Sequence, residues 1–97
     1  MFAVNCRDKP SMQEMRADNR PTHLDYVKGG GSKIIAAGPL LDADHHAIGG
    51  LFLIDVPDFA AAREWAANDP FQALGIYESV EVLEWKYVFG TGIDGKI

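Results

Sequence analysis

The chain predicts an α+β fold: a ferredoxin-like βαββαβ sandwich, an antiparallel sheet with both helices on one face. The first observation is order, since strand-length apolar runs and helical patterns follow one another as strand, helix, strand, strand, helix, strand. The second is a hairpin. Apolar segments at 34–37 and 51–56 flank the polar, turn-forming run Asp42-Ala43-Asp44-His45-His46. The third is an imbalance: Leu51 and Leu53 alternate onto the face that no helix is left to cover. A second copy packed against that face buries it, so a homodimer with a barrel-like or sandwich core is expected. With 97 residues, 47% of them hydrophobic, the chain reads as one domain over 1–89 and a flexible glycine-rich tail over 90–97.

Each element has a local justification. Residues 2–7 alternate weakly and form a short opening strand. Met12 and Met15 lie one turn apart among good helix formers at 11–17. Asp18 or Asn19 then caps a second helical segment with Pro21 in its first turn, where the missing N–H costs nothing. Gly29-Gly30-Gly31 ends that segment. Gly38-Pro39 closes the second strand. Asp58 caps the next helix, which places Phe59, Ala62, Trp65 and Ala66 on one face, and Pro70 stops it. The run 77–89 reads as one long final strand. Its apolar phase changes around Leu83, which predicts a bulge or a second core for Trp85, Tyr87 and Phe89.

Composition excludes several classes. A formal charge of −5 opposes nucleic-acid binding, which needs basic surface. No apolar run is long enough to span a membrane, and Arg7, Asp8 and Lys9 interrupt the first apolar stretch, so no signal segment is expected. The single cysteine, Cys6, cannot form an internal disulfide, which points to a cytoplasmic setting; it reads as a small core residue.

The chemistry-bearing residues are few. Arg20-Pro21-Thr22-His23 puts an imidazole in the first turn of a helix, and Asn68-Asp69-Pro70-Phe71 puts a carboxylate at a helix end. If they meet, the carboxylate fixes the ring tautomer and stabilises its protonated form, the minimum for moving a proton near neutral pH. The helix N-terminus would favour the neutral ring. On the residues alone, His23 reads first as a partly buried histidine bonded to a backbone group, and Asp69 as a cap or stop signal. Arg20 either holds an anionic or phenolate oxygen beside His23 or pairs with Asp18 or Glu14 on the surface. Phe71 and Tyr77 either wall an apolar pocket or belong to the core. Asp42, Asp44, His45 and His46 read as a solvated turn rather than a metal site. Gly29-Gly30-Gly31-Ser32-Lys33 lacks the spacing of a phosphate loop. No cofactor motif is present, so a small-molecule ligand carrying its own leaving group or acidic proton is the expected partner.

Four segments taken together, Arg20-Pro21-Thr22-His23, Ile35-Ala36-Ala37-Gly38-Pro39-Leu40, Ile48-Gly49-Gly50-Leu51-Phe52 and Asn68-Asp69-Pro70-Phe71, resemble the YciI-like (YCII-related) family over about 2–89. The resemblance implies a dimeric α+β barrel of ferredoxin-like protomers. It also implies an active-site pocket holding His23 and Asp69, bordered by a Gly38-Pro39 turn; Arg20 and Phe71 are candidate substrate contacts from the residues themselves, not from the resemblance. The family includes proteins linked to elimination of chloride from chlorinated hydroxyquinols. Gly29-Gly30-Gly31-Ser32 is looser than the family's helix end, and His45-His46 stands outside its pattern.

Overall fold

A computed structural model describes residues 1–92. Residues 93–97, most of the expected tail, lie outside the described residues. The element order is β1 (Phe2–Asp8), α1 (Gln13–Gly29), β2 (Ile34–Leu41), β3 (Ala47–Ile54), α2 (Phe59–Ala67), α3 (Pro70–Ala73) and β4 (Tyr77–Glu84). The strands form one antiparallel sheet in the order β2-β3-β1-β4. This is the ferredoxin-like α+β arrangement that the order of patterns predicts.

Strand alternation decides which side is core. Phe2, Val4 and Cys6 of β1 are buried, as are Phe52 and Ile54 of β3, and the helices add Val27, Ala62, Ala66 and Phe71. The odd-numbered partners point the other way. Leu51, opposite Asn5, is 41% exposed and Leu83, opposite Ala3, is 49% exposed. The uncovered apolar face expected from the sequence is therefore present on the chain.

Expected boundaries need correction in four regions. The first helical region is one continuous helix of 17 residues with Pro21 inside it, rather than two segments. An interior proline loses one hydrogen bond and costs about 3 kcal/mol. Anchors on both sides offset that cost: Arg16 is tied to the sheet before the proline, and His23 and Val27 are buried after it. Second, β2 runs straight through Gly38-Pro39. It is an edge strand, where a residue without an N–H breaks no inner ladder. The hairpin's return strand starts four residues earlier than expected, at Ala47.

Third, Pro70 opens α3 instead of merely ending α2, which stops at Ala67. Gly75, at φ +71°, supplies the left-handed residue that releases the chain after α3. Fourth, β4 ends at Glu84. The phase change near Leu83 thus marks the strand's end and not a bulge within it. The register shift in this strand pair lies at Arg7/Asp8 instead. Beyond β4, Val88 is 82% and Phe89 95% exposed. Asp58 caps α2 as expected, accepting from the Ala61 N–H at 2.8 Å.

Candidate active site

The helical spacing on α1 brings Arg16, Arg20, His23 and Val27 onto one stripe, at offsets of 0, 4, 7 and 11 residues. His23 sits mid-helix, not in a first turn, so the helix dipole does not act on its ring. From the opposite side, α3 begins with Asp69 as its cap. Asp69 Oδ1 accepts from the Phe71 N–H at 2.9 Å. The same oxygen lies 2.9 Å from His23 Nδ1, and Oδ2 accepts from the Tyr77 hydroxyl at 2.8 Å. One carboxylate therefore serves both as a helix cap and as the partner of the imidazole, which merges the two alternative readings of Asp69.

Burial makes these contacts consequential. Asp69 is 1% and His23 8% exposed. A buried carboxylate without partners would be costly, and here three donors surround it. The Phe71 amide can only donate to Oδ1, and Tyr77 is held protonated, its pKa raised by burial first and by the charge on Asp69 second. With donors on every side the carboxylate is the acceptor, so the hydrogen-bond network assigns the ring proton to Nδ1. His23 Nε2 has no hydrogen-bond partner among the described residues and is not among the buried unpaired polar atoms. Nε2 is therefore the ring nitrogen left without a protein partner.

Aromatic packing holds the imidazole in place. Its ring stacks on Phe71 with centroids 4.0 Å apart and planes 6° from parallel, while Phe52 meets it edge-on at 5.8 Å. Phe71 is fully buried, so it contacts the histidine rather than solvent. Cys6 lies behind Tyr77. Burial, and then the Asp69 charge, push its thiol up to about 12, which makes it inert at neutral pH and fits the core reading.

Arg16 is the residue that sequence reasoning missed. Its Nε donates to Asp8 Oδ2 at 2.6 Å, its Nη2 donates to the Gly49 carbonyl at 2.7 Å, and its guanidinium lies 5.0 Å above the Phe71 ring. Gly49 is required at that point, because a Cβ there would sit 2.2 Å from the Cys6 carbonyl oxygen. The missed signal was the helical offset from Arg16 to Arg20 and His23, hidden by the assumption that Pro21 breaks the helix.

The remaining candidates fall into two groups. Arg20 makes no ion pair among the described residues, so neither Asp18 nor Glu14 holds it. It lines a cavity of about 290 Å³ together with Arg16, Pro39, His45 and His46. His23 and Asp69 do not line that cavity, and Gly38 stands exposed on β2 outside it. At the hairpin, ligand atoms of Asp42, Asp44 and His46 lie within 4.8 Å of one another, without His45. Asp42 Oδ1 is already engaged by the Asp44 and His46 N–H groups.

Comparison with known proteins gives the family. The YCII-related domain matches residues 1–86. The chain belongs to the YCII-related family. Protein YciI from Escherichia coli O6:H1 is 29% identical over 97 residues, covering 92% of this chain and 99% of that protein. An uncharacterised protein from Haemophilus influenzae is 28% identical, covering 91% and 98%. Among solved structures, the chain is similar to 5-chloro-2-hydroxyhydroquinone dehydrochlorinase from Burkholderia phenoliruptrix in complex with 2,5-dihydroxybenzoquinone. That likeness has a TM-score of 0.84 and 27% identity, over 90% of this chain and 94% of the other. In this YCII-related protein no helix among the described residues is long and apolar enough to cross a membrane.

Proposed function

We propose that this YCII-related protein is a small cofactor-independent enzyme in which His23, oriented by Asp69, moves a proton on a small cyclic or aromatic metabolite. The single observation that carries the reading is the 2.9 Å contact between His23 Nδ1 and Asp69 Oδ1, with Nε2 left unpaired. With Nδ1 protonated, Nε2 holds the lone pair of a general base. Asp69 then faces the positive charge that forms when the ring accepts a proton.

The similar dehydrochlorinase suggests the reaction class. In an elimination, Nε2 takes a hydroxyl or ring proton, the freed electron pair forms a new π bond, and the leaving group departs with its own pair. The substrate loses HX overall. The proton rests on His23 until solvent removes it, and no electron acceptor is consumed. The homodimer expected from the exposed Leu51 and Leu83 face belongs to the same reading, with the single domain spanning 1–89.

Chloride release from 5-chloro-2-hydroxyhydroquinone is the direct test. Turnover by the native chain and a loss of about 10²–10⁴-fold in His23→Gln support the reading. Release that is unchanged in that variant, or absent in the native chain across a panel of halogenated hydroquinones, contradicts it.

A second reading is favoured by one observation, the burial of both residues away from the 290 Å³ cavity. In it the protein binds a small ligand without turnover, and the pair is structural. Saturable binding of 2,5-dihydroxybenzoquinone, with no chemistry on any halogenated analogue, distinguishes it.

A further inference from the structure

We propose that the cavity between α1, α2 and the β3–α2 connection binds a small organic cation, an alkyl- or arylammonium seated on Trp65 and Tyr26 with its charge toward Glu64 and Asp55. Neither His23 nor Asp69 lines this cavity, so its ligand need not be the molecule on which His23 acts.

The cavity has a volume of about 330 Å³, room for one ring-sized ligand. Its apolar wall is aromatic and fixed. Tyr26 and Trp65 pack with centroids 5.3 Å apart and planes tilted by 34°. The Tyr26 hydroxyl donates to the Trp65 carbonyl at 2.6 Å, and Phe52 braces the indole edge-on at 5.3 Å. Both rings are half-buried. An indole held this way meets a cation with little rotamer entropy left to lose, and indole is the best aromatic partner for that contact.

Charge is the second observation. Asp55 and Glu64 bring two carboxylates to the lining, against the single ammonium of Lys33. Neither carboxylate has an ion-pair partner among the described residues. The nearby bases are engaged otherwise. Lys33 is tied to Asp55 through the backbone, its carbonyl accepting the Asp55 N–H at 2.7 Å. Arg63, adjacent to Glu64 in the chain, lies 5.0 Å over the Phe59 ring. The charge on Glu64 also reaches the aromatic wall: after burial and Asp69, it raises the Tyr26 hydroxyl above its ordinary pKa.

The third observation is the end of α2, which lies at this cavity with Glu64 and Trp65 in its last turn and Asn68 as its cap. The carbonyl end of a helix carries partial negative charge and favours a cation. Here the last turn holds no base and one acid, Glu64. An ammonium bound beside Glu64 offsets that like-sign charge and stands where a basic side chain would otherwise be placed.

Isothermal titration calorimetry on the full chain at constant ionic strength tests the site with benzylammonium, benzyltrimethylammonium and neutral benzyl alcohol. At least one cation is expected to bind, with benzyl alcohol at least about tenfold weaker. Glu64→Gln, at an exposed position, should weaken that cation about tenfold without lowering the melting temperature. Trp65→Phe keeps a ring with a poorer π face and should weaken it as well. Glu81→Gln, exposed on β4 and outside the cavity, should leave the affinity unchanged. Binding should also persist in His23→Gln; its loss there would move the ligand to the imidazole and end the proposal. No cation binding at millimolar concentration, equal binding of benzyl alcohol, or affinity indifferent to Glu64→Gln or Trp65→Phe overturns the site. So do equal losses in Glu64→Gln and Glu81→Gln, which would reduce the effect to bulk charge.

Discussion

Among the described residues there are two histidine–aspartate pairs, and the contrast between them shows what burial does to identical side chains. His46 Nδ1 lies 3.6 Å from Asp42 Oδ2, with side chains 59% and 34% exposed. His23 Nδ1 lies 2.9 Å from Asp69 Oδ1, with side chains 10% and 2% exposed. In the hairpin, water competes for every donor and the carboxylate mainly organises a turn. Against the sheet, the carboxylate has no alternative to its three protein donors, and the ring orientation is imposed by stacking. Residue type proposes a pair; desolvation and packing make it a unit.

The largest expected difference is in stability. Asp69→Ala removes the α3 cap and strands three buried donors, and should cost about 3–5 kcal/mol in urea unfolding. Asp42→Ala should leave the unfolding midpoint nearly unchanged. Comparable losses at the two sites would break the contrast.

Tyr77→Phe removes one of the three donors and leaves Asp69 Oδ2 bare, which predicts a loss of about 2 kcal/mol. If His23 is a base aligned through Asp69, the same variant should also lower kcat more than it raises KM. A stability loss with unaltered kinetics would confine Tyr77 to packing.

Next is the alkaline limb. Cys6 ionises near 9.0 when unfolded and at about 12 when folded, chiefly because it is buried. Below pH 9 both states hold the proton and nothing changes. Between about 9 and 12 the unfolded chain loses a proton that the folded chain keeps, so stability falls as pH rises. Cys6→Ala should flatten that part of the stability profile, and a thiol reagent at pH 8 should label only unfolded protein. Rapid labelling of the native chain would contradict the burial.

The smallest effect is at the hairpin. The His46 amide is the main cause of Asp42's lowered pKa, so the turn's contribution is present above the ordinary carboxylate range and lost as pH falls through the folded value. The amide shifts of Asp44 and His46 should titrate together, with a midpoint below 3.8. A midpoint above it would remove the hydrogen bonds from the account.

Much of this was legible in the sequence because it follows from period and order. The alternation of Phe2, Val4 and Cys6, the cap at Asp58, and the hairpin between two apolar runs are local patterns with tertiary consequences. The contact of His23 with Asp69 was not local, since 46 residues separate them. The resemblance to a family suggested it where spacing alone left it open. Pro21 misled because local cost was weighed without the tertiary contacts of Arg16, His23 and Val27 on either side of it. Gly38-Pro39 misled because a proline reads as a turn until its strand is known to lie at an edge. Arg16 escaped notice because an arginine's value here depends on Asp8, Gly49 and Phe71, which meet it only in the fold.

The central claim is that Asp69 holds the His23 ring with its proton on Nδ1 and its lone pair on Nε2. Nitrogen-15 NMR of the histidine rings, read at a pH where they are neutral, measures that distribution atom by atom. The account predicts a single Nδ1–H tautomer for His23, lost in Asp69→Ala or its folded substitute Asp69→Asn, while His46 averages between tautomers. A His23 ring protonated at Nε2 in the native chain would contradict it.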